Sequence, residues 1–352
     1  MSVALRITPY ALALARDWTS ARGGFAQRRG WLVRASAGGV SGWGDCAPLP
    51  AAGTESPDVA ETALARVLGA AGALGAEALL DRLEALTLAA PAARHGVESA
   101  LLDLIARRRG LTLRALLAPE APTRVAVNAV LGALGDDPAS ALSAAAARGA
   151  RVFKLKLGVA EPRTERARLR VLARHLPPET QLRLDANGAW DAATAATMIE
   201  TCRALPVESL EEPLREPDTA TLAALQARAP FALALDESLA GPLAGLAPER
   251  LGVRRVVLKP AVLGGPRATR ALADRARAAG LEVVLTSVVE SAAGLWVDAQ
   301  LAAALAPTQT HGLDTAAWLA EDLGVAPSPR EGVIALPDTP GSGFTPFPAQ
   351  AP

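Results

Sequence analysis

The sequence predicts an α/β protein in which an eight-stranded (β/α)-barrel follows an N-terminal α+β domain. From about residue 123, short apolar segments alternate with segments rich in alanine, leucine and arginine, and successive apolar segments begin 23 to 30 residues apart. This alternation is typical of strands joined by amphipathic helices around a parallel barrel. The eight apolar segments begin at Val125, Val152, Leu182, Glu208, Phe231, Arg254, Leu281 and Gln309.

An open, doubly wound parallel sheet is the alternative to a barrel. Such sheets usually have fewer strands, and no G-x-G-x-x-G motif follows the first strand here. The number of repeats therefore favours a barrel, which we expect over residues 120–319.

The segment before the barrel has a different pattern. Strand-like stretches come first (VALRITPYALAL, GWLVRASAG and VSGWGDCAPL), and helical segments follow from about Asp58 to Leu117. We expect residues 1–119 to form an α+β domain that caps the barrel. The tail, residues 320–352, holds one short apolar stretch, GVIAL. We expect it to complete the capping domain, because eight strands already close the barrel.

The charge and hydrophobicity of the chain limit the kinds of binding partner that we expect. Acidic and basic side chains number 36 each, so charge gives no reason to expect nucleic acid or a membrane surface as a partner. No apolar run approaches the roughly 20 residues that span a bilayer, and the N-terminus has no apolar core with a cleavage site. We expect a cytoplasmic protein whose partner is a small molecule. The sequence leaves the oligomeric state open.

The basic residues contain an unusual bias, since 33 are arginine and only three are lysine: Lys154, Lys156 and Lys259. Arginine stays protonated in proteins, whereas lysine serves as a base when its surroundings lower its pKa. Two of the lysines share one strand as K-x-K and the third ends another strand. This placement favours a chemical role over chance survival of surface lysines.

Polar residues follow the predicted strands two to six at their C-terminal ends, where barrel enzymes place their catalytic groups. Strand two carries Lys154 and Lys156 on one face, and strand six ends at Lys259. Strands three to five end in acidic residues. Three carboxylates that converge on one mouth would repel one another unless a hard divalent cation joined them. The carboxylates are Asp185, Glu211 and Asp236. The sequence therefore predicts a Mg²⁺ site, which would also accept Mn²⁺.

These five elements together carry a family resemblance. The order K-x-K, D-x-N, E-E-P, D-E-S and K-P resembles the enolase superfamily, in its muconate-lactonising subgroup. The resemblance covers most of the chain and implies a modified TIM barrel with an N-terminal capping domain. It also implies that the three acids bind Mg²⁺ and that Lys156 and Lys259 form the acid/base pair.

Within that subgroup, R-L-D-A-N, V-V-L-K-P-A-V-L-G-G and T-S-V-V-E-S-A-A-G-L resemble motifs of the o-succinylbenzoate synthase family. Thr286 departs from the serine of that family, and Ala292 and Ala293 make the following loop smaller. The resemblance implies loss of water from a succinyl-hydroxy-cyclohexadiene carboxylate in menaquinone biosynthesis. An N-succinylamino acid racemase or dipeptide epimerase with the same two lysines is an alternative. A metal-binding scaffold without catalysis is another.

Further residues receive supporting roles. Asn187, Glu212 and Glu237 are expected to orient the ligands, and Lys154 to lower the pKa of Lys156 or to pair with a carboxylate. Residues 23–25 are a candidate lid or an ordinary hairpin loop. The residues expected to contact the substrate are Arg183, Gly264, Gly265, Ser287, Glu290 and Ser291.

Overall fold

A computed structural model describes residues 2–20, 23–135 and 137–348 of the chain. The N-terminal part is a three-stranded antiparallel sheet in the order β1-β2-β3, and helices cover one of its faces. Its elements are β1 (Ala4–Ser20), β2 (Gly23–Ala37), β3 (Val40–Cys46), α1 (Pro57–Ala71), α2 (Ala76–Leu86), α3 (Pro91–Arg108) and α4 (Leu113–Leu117).

Helix α3 is buried along most of its length between this sheet and the rest of the molecule. The close packing of α3 on β3 depends on glycine. A Cβ atom added at Gly44 would lie only 2.1 Å from the Gly96 carbonyl oxygen of α3, and one added at Gly42 would lie 2.2 Å from the Leu104 amide nitrogen. The two elements therefore meet backbone to backbone.

The second part is a parallel barrel that confirms the predicted fold. All eight predicted strands are present, each within two residues of its expected start. The strands are β4 (Arg124–Ala133), β5 (Val152–Lys156), β6 (Gln181–Asp185), β7 (Val207–Glu211), β8 (Ala232–Leu235), β9 (Arg255–Leu258), β10 (Glu282–Leu285) and β11 (Thr310–Asp314). The helices between them are α5 (Pro138–Ala147), α6 (Pro162–Ala173), α7 (Ala192–Cys202), α8 (Thr219–Arg228), α9 (Pro260–Leu263), α10 (Pro266–Ala278) and α11 (Ala292–Leu305).

Side chains alternate along the barrel strands in the way that a period of two requires. On β5, Phe153 and Leu155 join the apolar core between the sheet and its helices. Lys154 and Lys156 point the other way, towards carboxylates of β6 and β7. Among the described residues, no helix combines the length and the apolar character needed to cross a bilayer.

The barrel closes weakly at one seam. Strands run in the order β10-β9-β8-β7-β6-β5-β4-β11, and β10 meets β11 through an isolated bridge between Thr286 and Gly312. A buried imidazole supplements this bridge, because His311 Nδ1 accepts a hydrogen bond of 3.0 Å from the Leu285 amide. The Thr286 hydroxyl also donates to the Gly312 carbonyl oxygen at 2.9 Å.

The tail contacts both parts of the molecule. Its apolar stretch forms β12 (Val333–Ala335), which pairs antiparallel with β4 of the barrel and not with the N-terminal sheet. The following segment reaches the N-terminal helices, where Leu113 N donates to Gly341 O at 2.8 Å. The tail thus contacts the N-terminal helices near residue 341 and the barrel at β12, and its assignment to the capping domain stays a prediction. The domain limits at residues 119 and 319 stay a prediction.

Candidate active site

A cavity of about 120 Å³ lies where the mouth of the barrel faces the N-terminal domain. The barrel contributes the charged lining, and the N-terminal domain contributes Gly24, Phe25 and a loop after β3. The lining residues are Gly24, Phe25, Leu49, Ala51, Ala52, Val130, Lys154, Lys156, Asn187, Asp236, Glu237, Lys259, Thr286, Ser287, Val288, Val289, Gly312 and Thr315. The cavity is therefore charged at its base and apolar on the side of the capping domain.

The first lysine pair contacts two of the predicted metal ligands. Strand register places Lys156 beside Asp185, and Asp185 beside Glu211. Lys156 Nζ lies 2.6 Å from Asp185 Oδ2. Lys154 Nζ lies 3.0 Å from the same oxygen and 2.8 Å from each Glu211 carboxylate oxygen. Lys154 thus forms the ion pair that was one of its two sequence-based interpretations.

The third lysine stands across the cavity, since β9 is four strands away from β5 in a barrel of eight. Lys259 Nζ lies 2.5 Å from Asp236 Oδ2 and donates to Glu237 Oε1 at 3.2 Å. The Asn187 side chain also donates through Nδ2 to Glu237 Oε1 at 3.2 Å. The structure therefore brings Lys156 and Lys259 to one cavity from opposite sides, with acidic groups beside each.

The backbone turns sharply where two of these strands end. Asn187 and Glu212 adopt positive φ angles of 46° and 45°, which non-glycine residues seldom do. Asp185 accepts a 3.0 Å hydrogen bond from the Asn187 amide. The buried Glu212 carboxylate accepts from the amides of Asp236 and Ser238 at 2.7 and 2.8 Å. These bonds fix the chain that carries Asp236, in line with the orienting role expected for Glu212.

Burial makes the carboxylates repel one another strongly. Burial raises the pKa of Glu211 well above its usual value, and Asp185 raises it further, while Lys154 opposes them. Burial and Glu237 raise the pKa of Asp236 to about 6 against the effect of Lys259. Burial also acts on Asp185, but Lys154 and Lys156 outweigh it and lower its pKa. The site therefore favours added positive charge.

The same burial and the same carboxylates change the pKa values of Lys154 and Lys259. Burial lowers the pKa of Lys154, but the carboxylates of Asp185 and Glu211 outweigh burial and raise it above its ordinary value. The pKa of Lys259 is likewise raised by Asp236 and Glu237 against burial. Both ammonium groups are thus held in the charged form by their partners.

The residues present fit a hard divalent cation in charge and in donor type. With all five acids ionised, the site would carry two more negative charges than its three ammonium groups balance; the acids are Asp185, Glu211, Glu212, Asp236 and Glu237. The buried Asn187 Oδ1 also has no hydrogen-bond partner among the described residues. Carboxylate and amide oxygens are the ligands that Mg²⁺ prefers.

The three acids lie near one another, since, in addition to burial, Asp185 and Asp236 both raise the pKa of Glu211, but ammonium groups contact them. No three acidic, histidine or cysteine side chains within residues 2–20, 23–135 and 137–348 are arranged as a metal cage. The reason is local, because Lys154 lies against both Asp185 and Glu211, and Lys259 lies against Asp236. A cation held by these acids would share their oxygens with the ammonium groups.

Of the residues expected to contact the substrate, Ser287 lines the cavity, and its hydroxyl lies 2.7 Å from that of Thr315. Arg183 does not line the cavity. Its guanidinium lies in the layer of the barrel below Asp185, where it donates to Glu208 at 2.7 and 3.0 Å and to Thr310 O at 2.7 Å. A position two residues earlier on the strand places Arg183 one layer deeper in the barrel.

The other four residues also lie outside the cavity lining. Gly264 O accepts from Arg94 of α3, and Gly265 packs against Glu98 of the same helix. Glu290 accepts from the Val288 amide at 2.7 Å, and the Ser291 hydroxyl donates to Asp45 at 2.8 Å. Gly264, Gly265 and Ser291 thus serve contacts with the N-terminal domain, while Glu290 fixes its own loop.

Sequence reasoning missed the apolar wall of the cavity. Leu49, Ala52, Val288 and Val289 line it. Val288 and Val289 lie within the T-S-V-V-E-S-A-A-G-L motif, but only its polar residues were given a role. Phe25 belongs to the segment proposed as a lid, and Thr315 follows the last barrel strand. The available signal was position alone, since Thr286, Ser287 and Thr315 all lie at the C-terminal ends of strands.

Comparison with known proteins agrees with this architecture. Residues 5–118 match the family model for the mandelate racemase / muconate lactonizing enzyme N-terminal domain, and residues 137–350 match the enolase C-terminal domain-like model. The chain is 30% identical to o-succinylbenzoate synthase of Klebsiella pneumoniae over 306 residues, or 86% of this chain and 87% of that one. It is 29% identical to aromatic dipeptide epimerase of Herpetosiphon aurantiacus over 344 residues, or 94% and 95%.

A solved structure of similar fold extends the comparison to three dimensions. The crystal structure of muconate lactonizing enzyme from Pseudomonas fluorescens, complexed with muconolactone, has a TM-score of 0.88 at 26% sequence identity. The match covers 99% of this chain and 98% of that one. The N-terminal sheet, the barrel and both family models agree, and the chain belongs to the enolase superfamily, in its mandelate racemase and muconate lactonizing enzyme group.

Proposed function

We propose that this chain is an o-succinylbenzoate synthase that converts 2-succinyl-6-hydroxy-2,4-cyclohexadiene-1-carboxylate to 2-succinylbenzoate and water, a step of menaquinone biosynthesis. One observation carries the proposal: Lys156 and Lys259 face one cavity from opposite sides, beside acids suited to a divalent cation. The 30% identity with the synthase of Klebsiella pneumoniae over 86% of the chain supports this particular reaction.

Asp185, Glu211 and Asp236 would hold Mg²⁺, which supplies positive charge to the substrate carboxylate when bound. Lys156, in its neutral form, takes the proton from the carbon next to that carboxylate. Lys259 stays protonated through Asp236 and Glu237 and stabilises the negative charge that develops. Lys156 then returns the proton to the departing hydroxyl group, so the products are the aromatic ring and one water.

The apolar lining of the cavity suits the ring and the methylene groups of the proposed substrate. Phe25, Leu49, Val288 and Val289 form an apolar wall opposite the charged base. Such a wall excludes water from the reacting carbon and strengthens the electrostatic interactions at the base.

The alternative is a racemase or epimerase that moves a proton between the same two lysines. The 29% identity with the aromatic dipeptide epimerase over 94% of the chain favours it. However, a dipeptide carries an ammonium group, and the only carboxylates among the described lining residues are Asp236 and Glu237 of the charged base. N-succinylamino acids have no ammonium group and suit the cavity better than dipeptides do.

Turnover assays separate these functions. The enzyme is incubated with the cyclohexadiene carboxylate, with N-succinylamino acids and with dipeptides, each with Mg²⁺ and after chelation, and the last two in D₂O to follow α-proton exchange. We expect Mg²⁺-dependent formation of 2-succinylbenzoate at a kcat/KM above that for either other class. Exchange of dipeptides without dehydration would contradict the proposal. No turnover of any substrate would favour the non-catalytic scaffold.

A further inference from the structure

Helix α3 of the N-terminal domain contacts the short turn that carries Lys259. Lys259 is the residue before the single-turn helix α9, and its carbonyl oxygen accepts from the amides of Val262 and Leu263 at 3.0 Å each. The backbone of Lys259 is therefore tied to the far end of α9. Any group that fixes that far end also restrains the position of Lys259.

Arg94 is such a group. Its Nε donates to Gly264 O at 2.6 Å, and its NH2 group donates to Leu263 O at 3.0 Å. Two hydrogen bonds from one planar guanidinium fix orientation as well as distance. They satisfy the carbonyl oxygens at the C-terminal end of α9, which lack partners within that helix. Arg94 thus joins the two domains at the end of the Lys259 turn.

Glu98 holds the next residues of the same segment. It lies one turn after Arg94 on α3, is buried, and accepts a 2.6 Å hydrogen bond from the Arg267 amide at the start of α10. A carboxylate at a helix N-terminus is stabilising. The segment between Lys259 and α10 is thus fixed at two points by one helix of the other domain.

The two glycines make this contact possible. Gly264 and Gly265 have φ angles of 88° and 118°. A Cβ atom at Gly264 would lie 2.2 Å from Arg94 NH2, and one at Gly265 would lie 3.0 Å from the Glu98 carboxyl carbon. Their close approach to α3 gives both glycines a role that does not require contact with substrate.

The apolar side of α9 faces the same domain. Ala261 and Val262 pack in one cluster with Ala52, which follows β3, and with Val288. By contrast, Lys156 is the last residue of β5, where β6 still pairs with it and the Leu134 amide donates to its carbonyl oxygen at 2.9 Å. The two lysines are thus supported differently, Lys156 by the barrel and Lys259 by the capping domain as well.

We propose that Arg94 and Glu98 are positioning residues that set the place of the Lys259 ammonium group opposite Lys156. The catalytic role of Lys259 rests on the proposed function. The claim that Arg94 and Glu98 fix the position of Lys259 does not. A displacement of about 1 Å of a reacting group costs roughly 10²-fold in rate. Loss of the Arg94 contacts would therefore lower kcat more than it changes KM.

The scarcity of lysine permits a direct test. Labelling with ¹³Cε,¹⁵Nζ-lysine gives only three side-chain signals, which are assigned by replacing each lysine with arginine. We expect Arg94→Met to shift or broaden the Lys259 signal and to leave those of Lys154 and Lys156 in place. We expect kcat for the cyclohexadiene carboxylate to fall about 10- to 100-fold, with KM changed less than threefold.

Arg270→Met is the matched control. Arg270 donates to Leu117 O across the same domain interface at 2.6 Å but makes this contact from α10. We expect it to leave the three signals and kcat unchanged. Glu98→Gln is the second variant if Arg94→Met does not fold, and we expect the same selective effect on Lys259. An unmoved Lys259 signal, or equal shifts of all three signals in Arg94→Met and Arg270→Met, would overturn the proposal.

The two proposals fail in different ways. If the wild-type enzyme does not dehydrate the cyclohexadiene carboxylate, the proposed function fails, yet the lysine signals still report whether Arg94 positions Lys259. If the wild type is active and the Lys259 signal does not respond, only the positioning proposal fails.

Discussion

Lys156 is the residue on which the proposed proton transfer depends. Its ammonium group lies 2.6 Å from Asp185, so arginine at this position would keep the ion pair while remaining protonated at neutral pH. We expect Lys156→Arg to lower kcat for the cyclohexadiene carboxylate by about 10²–10⁴-fold and to leave the thermal unfolding midpoint nearly unchanged. Steady-state kinetics and scanning calorimetry measure the two effects. Retention of more than a tenth of the activity would contradict the assignment of Lys156 as the base.

Glu211 tests the proposed metal site separately from catalysis. A ligand that binds only the folded state stabilises it, by about 2.7 kcal/mol at a concentration 100 times its Kd. We expect Mg²⁺ to raise the unfolding temperature of the wild type, and Glu211→Gln to weaken Mg²⁺ binding at least about tenfold, since a neutral amide replaces a charged ligand. Calorimetric titration measures both affinities, with Glu200→Gln, on the exposed surface of α7, as the control. Equal affinities would place the cation elsewhere.

The sequence predicts which charged residues share the site but not how they pair. The order of the polar motifs at the strand ends requires that Lys156, Asp185, Glu211, Asp236 and Lys259 meet at the mouth of the barrel. Which carboxylate Lys154 contacts depends on a few ångströms of side-chain placement, and strand periodicity carries no such information. Arg183 is a different case, because the strand repeat gives both its face and its layer, and the family resemblance was the reason to expect a substrate contact.

At the scale of the elements, the strand and helix repeat could be predicted because each strand is a short apolar run bounded by polar turns. The partner of β12 could not. Strand β4 begins at Arg124, whereas its pairing with β5 begins only at Ala129. The first residues of β4 therefore present an open edge, which β12 covers. The open edge exists because β4 and β5 are staggered. The sequence of the tail contains no sign of this stagger, so the pairing of β12 could not be predicted from it.

The packing of α3 on β3 gives a prediction about stability. A Cβ atom at Gly44 would meet the Gly96 carbonyl oxygen at 2.1 Å, whereas one at Gly69 in α1 would have no atom of the described part of the chain within 4 Å. We expect Gly44→Ala to destabilise the protein by about 1–3 kcal/mol. We expect Gly69→Ala to stabilise it by about 0.5–1 kcal/mol, because alanine favours helix. Urea denaturation compares the two substitutions, which add the same methyl group. A Gly44→Ala protein as stable as the wild type would mean that α3 moves freely relative to β3.

At the scale of the whole molecule, closure of the barrel depends on the seam between β10 and β11. His311 lies there fully buried, accepts from the Leu285 amide through Nδ1, and faces Ala306 O through Nε2 at 3.0 Å. The ring therefore carries its single proton on Nε2. Burial lowers the pKa of His311 to about 4. Burial lowers the pKa of His95, in α3, to the same value, but neither ring nitrogen of His95 has a hydrogen-bond partner among the described residues.

These two histidines form a matched pair for a test of barrel closure. Each has a pKa near 4 in the folded state against about 6.5 when unfolded. Each therefore contributes stability that is complete above about pH 6.5 and is lost as pH falls towards 4, when the unfolded chain binds the proton first. When the pH is lowered from 8 to 4.5, the wild type should lose stability that the variants keep. We expect the free energy of unfolding of His311→Leu and of His95→Leu each to rise by about 2–3 kcal/mol relative to that of the wild type.

The two variants should differ at pH 8, where this proton linkage is absent. His311→Leu leaves the buried Leu285 amide without its acceptor, which we expect to cost about 1–3 kcal/mol. His95→Leu removes two buried nitrogen atoms that lack partners among the described residues, so we expect it to be at least as stable as the wild type. Urea denaturation of the wild type and both variants at pH 8 and pH 4.5 measures how far each variant's free energy of unfolding differs from that of the wild type. If the variants are equally stable at pH 8, the imidazole of His311 does not support closure, and the bridge between Thr286 and Gly312 closes the barrel without it.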